Sequence, residues 1–74
     1  MTLRTCHPGS NLVVRTLVGA PAQRRRLAEW GFVPGARIRT IARGPAGGLI
    51  VALRDARVAL DARTAASLVV ELAP

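Results

Sequence analysis

The order of residues predicts a mainly β fold, a small closed barrel of five or six short strands with one inserted α-helix. Three observations carry this expectation. Short runs of Val, Leu and Ile recur along the chain and alternate with polar residues, the period of a half-buried strand. Two Pro-Gly pairs, Pro8-Gly9 and Pro34-Gly35, fall between such runs and suit the central positions of type II turns. Only one segment, ahead of Gly31, carries helical spacing. A chain of 74 residues buries only about 60% of its unfolded surface, so closing the sheet spares it exposed strand edges.

Thr2 to Cys6 is expected as a first strand, followed by the Pro8-Gly9 turn. Asn11 to Val18 is the second strand, with Leu12 and Val14 on one face and Val13 and Arg15 on the other. Pro21 then opens the helix, because the first turn tolerates a missing N–H. Gln23, Leu27 and Trp30 share one helix face, which predicts Trp30 packed in the core, while Arg25 and Glu29 are spaced to pair. Gly31 is expected to end the helix in the left-handed conformation, and Pro34 prevents it from resuming.

Ala36 to Arg43 is the third strand, with Arg37 and Arg39 on one face and Ile38 on the other. Ile41 breaks that alternation, so a bulge is expected near Thr40. Gly44 to Gly48 is a loop. Leu49 to Arg54 and Arg57 to Leu60 form a hairpin around Asp55-Ala56. Asp61 caps a helical turn, Ala62 to Ala66, and Leu68 to Leu72 is the last strand. The expected core is Leu12, Val14, Leu27, Ile38, Val51, Leu53, Val58, Leu60 and Val70.

The formal charge is +7, and all 11 basic residues are Arg. Such a field favours acidic partners, nucleic acid or anionic lipid. The arginine excess goes with abundant alanine, so it points to biased base composition more than to a need for guanidinium. Trp30 and Phe32 are the only aromatic residues. No strand face therefore offers the aromatic platform on which single-stranded nucleic acid stacks, and nucleic acid is not the expected partner. Met1 to Cys6 lacks the apolar stretch of a signal peptide, and the purely apolar run Leu49 to Leu53 is far too short to span a bilayer. The single Cys6 excludes an internal disulfide. These features read as a soluble cytoplasmic protein.

No catalytic constellation is visible. Gly47-Gly48 lacks the following Lys-Ser/Thr of a phosphate loop, and Asp55 and Asp61 are explained by turn and cap roles. Cys6 and His7 are the only adjacent pair of metal-ligating type, and they fall short of the three or four fixed ligands of a stable site. Cys6 reads as a small hydrophobe and His7 as exposed. No cofactor is expected beyond weak transition-metal binding, for which Cys6 and His7 are the candidates. Arg24-Arg25-Arg26 reads as a solvated helix face, with Arg24 and Arg25 as candidate contacts to an acidic partner.

Arg26-Leu27, then Gly31, then Pro34-Gly35 resembles the core signature of the ferrous iron transport protein A (FeoA) family. The opening Leu3 with Pro8-Gly9, the paired strands from Leu49 to Val58 and the closing segment Asp61 to Val70 extend the resemblance over residues 1–74 as one domain. The resemblance implies an SH3-like β-barrel with an inserted helix. It implies no enzymatic activity, but an accessory or regulatory role on FeoB, the membrane iron transporter with a cytoplasmic GTP-binding domain. Two other readings stand beside it. One is a basic barrel that binds nucleic acid. The other is a module of the kind carried by some metal-dependent repressors, although the chain has no winged-helix segment.

Overall fold

The computed structural model describes residues 1–74. Its strands are β1 (Asn11–Leu17), β2 (Arg37–Arg43), β3 (Leu49–Leu53), β4 (Ala56–Leu60) and β5 (Leu68–Leu72), with helices α1 (Pro21–Trp30) and α2 (Ala62–Ala66). All pairings are antiparallel, and the sheet order is β4-β3-β2-β1-β5. Register shifts between Val14 and Thr16 in β1, and between Thr40 and Ala42 in β2, are where the sheet bends. The second is the bulge expected from the misplaced Ile41. β4 and β5 end the sheet with no ladder between them, so the barrel is not the fully closed one expected, and α2 connects these two edges in sequence.

The barrel encloses Leu3, Leu12, Val14, Leu27, Phe32, Ile38, Leu49, Val51, Leu53, Leu60, Leu68 and Val70, with Cys6 and Ala65. Of the expected core, only Val58 is less than buried. It lies on the edge strand β4, where one flank has no neighbour, and packs against the core from there.

The opening segment is not a strand. Leu3–Thr5 forms a single 3₁₀ turn, and only Thr2 bridges to β5, opposite Val69. The reason lies in spacing. Leu3 and Cys6 are both buried, and residues three apart share a face in a 3₁₀ helix but not in a strand. The Thr5 hydroxyl donates to the Thr2 carbonyl at 3.1 Å and reinforces the turn.

The β3–β4 hairpin also differs from expectation. Leu53 pairs with Ala56, so the two-residue turn is Arg54-Asp55 rather than Asp55-Ala56. Arg54 takes φ 55°, the left-handed geometry that such tight connections demand.

At the end of α1, Gly31 has φ 109°. Its N–H donates to the Ala28 carbonyl and the Phe32 N–H to the Leu27 carbonyl, each at 3.0 Å. This is a Schellman closure, and its hydrophobic contact joins Leu27 to Phe32, both fully buried. Trp30 is thereby displaced from the core and is 49% exposed. The chain reverses at Gly31 and delivers Phe32 to the space that the helical period assigned to Trp30. The expected Arg25–Glu29 pair does not form; the one ion pair is Arg15–Glu71, at 3.6 Å across β1 and β5. Exposed pairs gain too little to hold two long side chains in one geometry.

Candidate partner-binding surface

Both Pro-Gly pairs form hydrogen-bonded turns that are pinned to the barrel. In the first, Gly9 has φ 87° and the Ser10 N–H donates to the His7 carbonyl at 3.3 Å. Thr40 fastens this turn. Its hydroxyl donates to the His7 carbonyl and accepts from the Ser10 N–H, and its own N–H donates to the Ser10 carbonyl. Thr40 is fully buried at the β2 bulge, so these bonds satisfy a polar group that water cannot reach. In the second, Gly35 has φ 90°, the Ala36 N–H donates to the Val33 carbonyl, and the Gly35 N–H donates to the Val14 carbonyl at 2.8 Å. This turn anchors the chain leaving α1 onto β1.

Helix α1 presents its outer face to solvent. Arg24, Arg25 and Arg26 are all exposed, and none makes a salt bridge or side-chain hydrogen bond within the chain. The helix is held from beneath by Leu27 and by Gln23. The Gln23 amide donates to the Thr64 hydroxyl at 3.2 Å and accepts from the Ser67 hydroxyl at 3.1 Å, tying α1 to α2. A shallow groove of about 190 Å³ lies between α1 and the β4–α2 junction, walled by Arg26, Trp30, Ala59 and Asp61. Helical phase alone puts this tryptophan in the core. The signal that places it outside is the Gly31-Phe32 closure.

Cys6 and His7 are not brought together as a ligand set. Cys6 is buried, and its thiol lies 3.5 Å from the Thr2 carbonyl; burial pushes its pKa up, against thiolate formation. His7 is exposed. No group of three His, Cys, Asp or Glu side chains gathers anywhere. The guanidinium of Arg43 donates to the carbonyls of Arg4 and Cys6 and closes the opening segment over the barrel. Nor does any helix have the length and apolarity to cross a membrane.

Five short antiparallel strands, a bulged second strand and one helix that bears on the barrel define a small SH3-like β-barrel protein. A family model for the FeoA domain matches residues 1–72, and the chain belongs to the FeoA family. Among solved structures, an iron uptake regulatory protein (FeoA) is 27% identical with a TM-score of 0.86, over 95% of this chain and 93% of the other. The FeoA of Stenotrophomonas maltophilia in complex with zinc is 38% identical with a TM-score of 0.83, over 96% of this chain and 89% of that one. It is described as a prokaryotic SH3 domain protein and a candidate activating factor of bacterial ferrous iron transport. A manganese-dependent transcriptional repressor in complex with manganese is 28% identical with a TM-score of 0.89, and this chain spans 36% of its length. No curated protein sequence matches the chain.

Proposed function

We propose that this protein is a cytoplasmic accessory of ferrous iron uptake that binds the cytoplasmic side of an FeoB-type transporter and performs no chemistry of its own. The observation that carries the reading is the family match over residues 1–72. Its family is one of small accessory domains and not of known enzymes. The exposed face of α1 is the proposed contact. Arg24 and Arg25 offer unpaired cations there, and around the helix Trp30 lines the neighbouring groove with Arg26, an aromatic side chain of the type that anchors interfaces. Charge on such a rim acts mainly on the rate of encounter with an acidic surface.

Reversal of Arg24 and Arg25 to Glu tests the contact by titration against the transporter or its cytoplasmic domain. The expected result is weaker binding, most visible at low salt, with unchanged melting temperature. Undiminished affinity of the folded double variant removes the arginine contact. The likeness to a manganese-dependent repressor favours a second reading, a module that serves a regulator. Binding to such a repressor with no binding to the transporter is the outcome that selects it.

A further inference from the structure

The outer face of β2, β3 and β4 gathers four arginines that the transporter contact does not use. Arg37 and Arg39 alternate with buried Ile38 along β2. Ala52 of β3 pairs with Arg39 on one side and with Arg57 of β4 on the other. Strand geometry separates Arg37 from Arg39 by about 6.8 Å and Arg39 from Arg57 by about 10 Å. Arg54 follows β3 at the hairpin turn. Two open depressions, of about 370 and 320 Å³, share Arg39, Ala52 and Arg54 in their walls, with Arg37 beside the first and Arg57 beside the second.

None of the four makes a salt bridge or side-chain hydrogen bond within the chain. The only acidic side chain bordering the depressions is that of Asp55, in the exposed turn. On the neighbouring strands the arrangement is different, for there Arg15 is offset by Glu71. Like charges gathered on one face of a sheet repel, weakly where solvent screens them. Arg54 adds a second cost, since its φ of 55° suits Gly or Asn better than a residue with a long side chain on its Cβ. Further along the same strands the face turns apolar. Ile50 lies beside Ala42 and Ala59 and is 40% exposed, and Ile41 is half-buried beside Ala52.

We infer that this face docks on an anionic lipid surface, its arginines among the headgroup phosphates and Ile50 toward the acyl boundary. The depressions are shallow and open, so the face reads charge and not shape. A nucleic-acid strand would need stacking partners, and the face has no aromatic residue. A bilayer interface takes both kinds of side chain at once, phosphates for the arginines and the acyl boundary for Ile50. Each basic residue near such a surface strengthens binding about fivefold, and the attraction fades within a Debye length. The inference does not depend on the transporter contact, since it concerns lipid alone.

Co-sedimentation of the full chain with vesicles tests it, comparing phosphatidylcholine with an equimolar mixture of phosphatidylcholine and phosphatidylglycerol. Binding is expected only to the anionic vesicles, and it is expected to vanish as salt rises from about 0.01 M to about 1 M. Replacement of Arg39 and Arg57 by Gln should weaken binding about 25-fold while the melting temperature holds or rises. Arg63→Gln, a single neutralisation on α2 away from the face, should change it less than twofold, against about fivefold for Arg39→Gln alone. Absence of wild-type binding at low salt overturns the inference, as does equal binding to neutral vesicles. Equal losses for Arg63→Gln and Arg39→Gln also overturn it, because net charge alone then explains the effect. Tighter binding to duplex DNA or RNA than to the anionic vesicles overturns it in favour of nucleic acid.

Discussion

Two residues hold the chain in conformations that its neighbours depend on. Gly31 sits at φ 109°, and a Cβ there would stand 3.3 Å from the Leu53 side chain. Leu53 can give, but the backbone cannot, because left-handed geometry is strained for a β-branched residue. Gly31→Val is therefore expected to lower stability by more than about 1 kcal/mol in denaturant unfolding. An unchanged transition midpoint contradicts the closure that brings Phe32 inward. Thr40 is the second. Thr40→Val keeps the shape but removes the acceptor for the Ser10 N–H and the donor to the His7 carbonyl. The expected cost is about 1–3 kcal/mol, the penalty of buried polar groups left unpaired. A neutral result would mean that water reaches this turn. Gly31's role is legible in sequence because glycine before a Pro-Gly turn has few other uses. That of Thr40 is not, since its partners lie 30 and 33 residues away and no local pattern marks them.

At the scale of elements, the strands were readable because alternation reports burial directly, and the bulge was readable because Ile41 breaks it. The opening segment was not readable, because the three-residue spacing of Leu3 and Cys6 marks a 3₁₀ turn only once both are known to be buried. Trp30 illustrates a related limit. Helical phase continues past the point where the chain stops being a helix, so the period assigned to Trp30 a place that Phe32 takes. The arginine face was half legible: Arg37 and Arg39 share a side by alternation, but Arg54 and Arg57 join them only through the β3–β4 register. Helix α2 carries the clearest prediction at this scale. Asp61 accepts from the Thr64 N–H at 2.7 Å, and hydrogen bonding by the Thr64 side chain first and by this N–H second holds its carboxyl below the usual range. The folded state thus favours the ionised form. Its stabilisation is present above the ordinary aspartate pKa and is lost as pH falls through the lowered folded value. Asp61→Asn retains an acceptor at every pH. Thermal melts from neutral to acid are expected to show a shallower decline for the variant than for the wild type. Parallel declines would contradict the cap as the source of the shift.

The whole molecule is a small barrel with a net charge of +7, one ion pair and two separate arginine surfaces. Charge of this size does not select a fold, but it governs what the surface meets and how fast. The two surfaces make different demands: α1 offers cations beside a half-exposed tryptophan, while the β2–β4 face offers cations beside aliphatic side chains. A domain with both faces engaged would sit against lipid while α1 meets a protein. Sequence alone reached the family through turn spacing, because Gly31 and Pro34-Gly35 record backbone geometry that few other residues tolerate. It pointed to the partner only through that resemblance, and it did not bring Arg54 and Arg57 together with Arg37 and Arg39, which the β2–β3–β4 register does. The most direct test of the central claim is a titration of this protein against full-length FeoB-type transporter in detergent or nanodiscs, with RNA of similar charge in parallel. The proposal predicts saturable binding to the transporter that exceeds binding to RNA at physiological salt. No binding to the transporter together with tight, salt-sensitive binding to RNA would contradict it.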